Sequence, residues 1–123
     1  MDLQLNPALD LTYIDQVYGD DPVILYMIFD AFLSDSVPRW HTLRTALENV
    51  DLKESASIVH GLKPSFTMAG LTWIRPKVEV LEKAIKENET PENLMEMYKS
   101  ISAELNELLP IIEQESERLK SIQ

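Results

Sequence analysis

From Asp10 onward, apolar residues recur at three- and four-residue steps through most of the chain, while β-branched alternation is scarce. The pattern predicts an all-α protein. Asn6 or Asp10 can cap a short first helix carrying Leu11, Tyr13, Ile14 and Val17, which ends at the Gly19-Asp20 turn and covers one end of the molecule. Asp21 before Pro22 sets a cap ahead of a first-turn proline, where the missing N–H costs nothing, and opens a long helix through Ile24, Leu25, Ile28, Phe29 and Phe32. Pro38 interrupts it. Because Trp40, Leu43, Ala46 and Leu47 resume the pattern, a bent helix running to Glu48 is expected, with a true break as the alternative.

Asp51 and Glu54 have the spacing of a capping box, so a third helix starts near Leu52 and runs to Ala69, where Gly70 can take the left-handed conformation. Thr72 can cap a fourth helix holding Ile74, Val78, Leu81 and Ile85, closed by Asn88-Glu89; Pro76 is tolerable in its first turn. Thr90-Pro91-Glu92 starts the last helix, which carries Leu94, Met97, Ile101, Leu105 and Leu108 before Pro110 bends it toward Ile112 and Leu119. Short connections between long amphipathic helices imply antiparallel neighbours. The expected architecture is an antiparallel up-and-down four-helix bundle with a short additional N-terminal helix.

Length and composition fit one globular domain over residues 1–123, since 45% of the residues are hydrophobic. The absence of Cys excludes disulfides and thiolate metal sites. The longest apolar run, Val23 to Phe29, is far short of the ~20 residues that span a bilayer, and no basic-then-apolar leader is present, so a cytoplasmic protein without a membrane partner is expected. The initial Met and the lack of a linker favour a free-standing protein. A net charge of −10 argues against nucleic acid and toward a protein partner.

Helix three carries the chemistry. Advancing about 100° per residue from His60, Ile58, Leu62, Phe66 and Ala69 fall at roughly 160° to 240°, with Val59 near 260°, forming the stripe that packs inward. His60 points away from them, toward solvent. Around it lie Lys63, Thr67 and Pro64 at roughly 300°, 340° and 40°, with Gly61 at roughly 100°, so a macromolecule meets little obstruction near the ring. Residues 55 to 78 contain no Asp or Glu but include Lys63, Arg75 and Lys77, an acid-free island in an acidic chain. It reads either as core and turn or as the place where an anion or acidic partner is received. A neutral imidazole, with a reference pKa of about 6.5, is a competent nucleophile, and an ammonium one turn away can offset charge on a transferring phosphoryl group.

The segment His60-Gly61-Leu62-Lys63-Pro64-Ser65, followed by Gly70, resembles the H-x-L-K-G-S pattern, with Gly five residues on, of histidine-containing phosphotransfer (HPt) domains of multistep phosphorelays. Phe32-Leu33 and Leu81-Glu82 look like weaker motifs of the same family, and helix order agrees across essentially the whole chain. The resemblance implies that His60 is the phosphoacceptor, Lys63 the residue that meets the phosphoryl group, and Gly70 a close-packed helix end. Gly61, Pro64 and Thr67 would lie under a docked partner, and Ser65, on the flank of the buried stripe, is structural. The departure is Pro64, where the family has Gly: it removes a backbone N–H and presses on the carbonyl of His60, so the helix should bend there.

No phosphate loop, nucleotide fingerprint or kinase signature occurs, so phosphate must come from another protein and the chain is not expected to act as an enzyme on ATP. By the resemblance, partners are response-regulator receiver domains and a hybrid sensor kinase. Mg²⁺ would be held by the receiver, with no cofactor of the chain's own. The polar face around Lys63 and Thr67 suits a monomer. A di-iron bundle would want Glu-x-x-His pairs, whereas His60 follows Ser57 and His41 follows Pro38, so no metal site is expected. His41 reads as a surface residue, Glu104 and Glu107 as solubilising, and Met27, Met68, Met95 and Met97 as core or edge fillers. Ser65 and Thr67 could suggest a hydroxyl nucleophile, but no acid is expected in place to orient His60 as its base. The competing function is a helical adaptor that binds partner helices in an apolar groove, with His60 incidental.

Overall fold

A computed structural model describes residues 3–122. Among these the fold is all-helical, with no strand: α1 (Leu11–Tyr18), α2 (Pro22–Ala31), a π turn (Phe32–Ser36), α3 (Val37–Glu48), α4 (Leu52–Met68), α5 (Arg75–Lys86) and α6 (Pro91–Ser121). The helix starts follow from local side chains. Asp10, Asp21, Asp51 and Thr90 each accept a hydrogen bond from a backbone N–H of the first turn, the donors a helix leaves without partners. Asp10, not Asn6, caps α1. The helix ends at Val50, Gly70 and Asn88 turn through positive φ and close with paired backbone bonds, as in Gly70 N–H to the Thr67 carbonyl and Leu71 N–H to that of Phe66.

The long helix runs on past Pro38 to Glu48 as the resumed pattern implies, and the alternative of a true break falls: the turn before Pro38 widens and Val37 N–H reaches back five residues to the Phe32 carbonyl. Three other expectations are corrected in this layer. The Asp51–Glu54 box is one-sided, because the Asp51 N–H is already bonded to the Ala46 carbonyl. Thr72 caps nothing; its hydroxyl donates to the Asp10 carboxylate, and α5 begins three residues later at Arg75. That bond, with the Tyr13 amide, holds the Asp10 carboxyl below its ordinary range. Lastly, Leu11 and Val17 of α1 are exposed and only Ile14 is buried, so much of the cover comes from the segment before α1. There Leu3, Leu5 and Leu9 are buried, and α6 pins the backbone through Asn6 N–H to Glu115 and Arg118 to the Leu3 carbonyl.

Helix α4 packs between α3 and α5, and α6 packs against α2, α3 and α5, so the long helices surround one core. At its centre Phe66 meets Phe32 and Trp40 edge-on, at 5.8 and 5.7 Å between ring centroids, and Trp40 stacks on Tyr98 at 5.0 Å. Burying each of these rings stabilises the fold by about 1.5–3 kcal/mol. Their polar atoms are satisfied: Trp40 Nε1 donates to Ser102 and the Tyr98 hydroxyl to the Trp40 carbonyl. Ile58, Val59, Leu62, Phe66 and Ala69 are all buried as the wheel requires. With that stripe fixed, the opposite face of α4 must look outward. Helix α4 runs through Pro64 and α6 through Pro110, each as a single helix.

Candidate functional site

His60 stands on the outward face of α4 with 70% of its side chain exposed. Two surface hollows lie away from it, one against Leu47, Pro91 and Met95 and another against His41, Tyr98 and Asn106. The ring is therefore open to a macromolecule. It is nonetheless held, because Nδ1 lies 2.9 Å from Oε2 of Glu82 on α5. Glu82 is almost wholly buried, with 8% of its side chain exposed, and its other oxygen takes the Lys63 ammonium at 2.7 Å. A third group, Lys86 one turn along α5, comes within 3.5 Å of Oε2.

This arrangement corrects two expectations. An acid does orient His60, and the acid-free island does not offer Lys63 as a free cation. Arg75 and Lys77 are engaged as well, with Glu79 and Glu104, so Glu104 is a partner of α5 and not merely a solubilising group. Burial pushes the Glu82 carboxyl up, but hydrogen bonds from Lys63 and His60, with the charges of Lys63 and Lys86, outweigh it and hold the group below its ordinary range. Glu82 is thus an acceptor only. It must receive the proton on Nδ1, which in the neutral ring leaves the lone pair on Nε2.

Gly61 and Pro64 are exposed on the His60 face. A Cβ built on Gly61 meets nothing within 4 Å, so packing inside this chain does not require glycine there. Thr67 is half-buried and accepts from Arg75 at 2.9 Å, which makes it less of a free surface than the wheel implied. Ser65 is half-buried beside Met68, Ile28 and Phe32. Gly70 has φ +80°, and a Cβ there would stand 2.8 Å from Ile14 Cδ1, so both conformation and space require glycine. Met27 and Met68 are exposed, not core fillers, as are Val23 and Ile24 on α2. Pro64 gives the His60 carbonyl no N–H, leaving the usual four-residue bond unmade beside the imidazole.

Among the described residues, no three His, Asp or Glu side chains gather as a metal set, and no helix is long and apolar enough to cross a membrane. Compared with protein-family models, curated proteins and solved structures, the chain matches none.

Proposed function

We propose that this chain is a histidine phosphotransfer protein, which carries a phosphoryl group on Nε2 of His60 between aspartates of response-regulator receiver domains in a cytoplasmic two-component phosphorelay. The observation that carries the reading is an exposed imidazole whose Nδ1–H is fixed on a buried, lysine-paired carboxylate. In the proposed step the Nε2 lone pair attacks the phosphorus of an aspartyl phosphate, the N–P bond forms as the P–O bond breaks, and the aspartate leaves as carboxylate. The ring becomes a phosphoimidazolium that keeps its Nδ1 proton, and Glu82 faces the new positive charge. The reverse step on a second receiver's aspartate completes the relay. Mg²⁺ would be supplied by the receiver, and a hybrid sensor kinase would be the upstream source.

Several features support a protein partner. Gly61 costs a mid-helix position about 1 kcal/mol without serving internal packing, and keeping that surface clear for a docked domain accounts for it. Val23, Ile24 and Met27 of α2 and Met68 of α4 leave apolar surface on the helices that meet around Ile28, Phe32 and Ser65. The finer architecture belongs to the same proposal: with α2 through α3 as one helix, the packing order and short connections suit an antiparallel up-and-down four-helix bundle, α1 being the short additional helix. The carrier is expected to act as a monomer.

The test is phosphoryl transfer from a phosphorylated receiver domain to the wild type and to His60→Gln. Acid-labile, base-stable label on the wild type alone supports the carrier. No label from a broad set of competent receivers, with helicity intact by circular dichroism, overturns it in favour of an adaptor.

A further inference from the structure

The two lysines that reach Glu82 are not equivalent, and the difference bears on which cation meets a phosphoryl group. Lys63 sits with 16% of its side chain exposed, its ammonium 2.7 Å from Oε1 of the buried carboxylate. Moving it onto a ligand would leave that carboxylate without its closest partner, which is costly for a buried charge. Lys86 is different. Its side chain is 61% exposed and its 3.5 Å approach to Oε2 is a loose, solvent-screened pair that contributes little. Oε2 is also the oxygen that holds His60 Nδ1, so the Lys86 ammonium is tethered on the imidazole side of the carboxylate.

From this geometry we infer that the phosphoryl-contacting cation of the site is Lys86 on α5, while Lys63 is a positioning residue that fixes Glu82 and through it the ring. The inference rests on the carrier reading above. When Nε2 becomes phosphorylated, two negative charges arrive next to the ring, and Lys86 can swing to them at small cost. Of the other charged side chains on α5, Glu79 lies 3.5 Å from Arg75, and Lys83 lies 3.9 Å from Glu87 and pairs with neither Glu82 nor the ring.

Phosphoramidate tests this without any partner protein. Nε2 attacks its phosphorus, the donor's P–N bond breaks, ammonia leaves, and the ring retains its Nδ1 proton as a phosphoimidazolium. Phosphorus NMR then gives the pKa of the phosphoryl group on wild type, Lys86→Gln, Lys86→Arg and Lys63→Gln, each checked for helicity. A contacting cation lowers that pKa, so Lys86→Gln should raise it by about half a unit, Lys86→Arg should restore it, and Lys63→Gln should move it less. Phosphohistidine on His60 with the larger rise in Lys63→Gln, or no rise in Lys86→Gln, overturns the assignment and leaves the carrier reading standing. Failure of His60 to accept phosphate at all overturns both.

Discussion

Glu82→Gln separates the charge of the buried carboxylate from its shape. Glutamine keeps an oxygen to accept the Nδ1–H but removes the negative charge that faces Lys63 at 2.7 Å and Lys86 at 3.5 Å. An exposed ion pair contributes less than about 1 kcal/mol, and removing one member of a buried pair costs about 3–5 kcal/mol. Here the carboxylate is buried, the Lys63 ammonium has a short path to water, and Lys86 is already in it. The loss in stability should therefore be about 2 kcal/mol near pH 7. Because the native Glu82 carboxyl lies below its ordinary value of 4.5, its contribution is complete above that value and disappears as pH falls through the lowered native one. Urea unfolding followed by circular dichroism should show the gap between wild type and variant near pH 7 and its closure in acid. A gap under about 0.5 kcal/mol, or one that persists undiminished well below pH 4.5, overturns this assignment of the Glu82 charge. In the carrier reading, the same variant should slow acceptance of phosphate by His60 only about tenfold, since water screens most of the charge on a ring so exposed.

The remaining predictions concern the turns that frame the site. Gly70→Ala should cost about 2 kcal/mol, because the left-handed backbone there disfavours any side chain and the new methyl group meets Ile14; thermal unfolding reads it as a fall of several degrees. Val50→Gly should stabilise by about 1 kcal/mol in denaturant unfolding, since an exposed β-branched residue at φ +52° gives up steric strain and little packing.

What the sequence discloses and what it hides divide along the range of the interactions. The caps at Asp10, Asp21, Asp51 and Thr90 are legible because each side chain acts on an amide two or three residues ahead. The inward stripe of α4 and the outward His60 are legible because a helix converts spacing into direction. Thr72 misleads because Asp10, 62 residues away, competes for its hydroxyl. The π turn before Pro38 escapes notice because resumed periodicity says only that the helix goes on, not which carbonyls move aside. Glu82 had a signal of its own: it lies beside Leu81 and Ile85 on the apolar flank of α5, and an acid on a buried flank needs a cation, which Lys63 of the neighbouring helix supplies.

Read linearly, residues 55 to 78 suggest a positive patch waiting for an anion; folded, their cations are already met by acids from beyond the stretch. Lys63 finds Glu82, Arg75 finds Glu79, and Lys77 finds Glu104. A surface so compensated, on a chain of net charge −10, exerts little long-range pull on a phosphorylated partner. In the carrier reading, recognition then falls to the apolar side chains of α2 and the cleared surface at Gly61, and the chemistry falls to placement. An imidazole with one nitrogen fixed on a buried carboxylate presents the other at a defined angle, and a near in-line approach is the contribution that a phosphoryl transfer of this kind asks of its nucleophile.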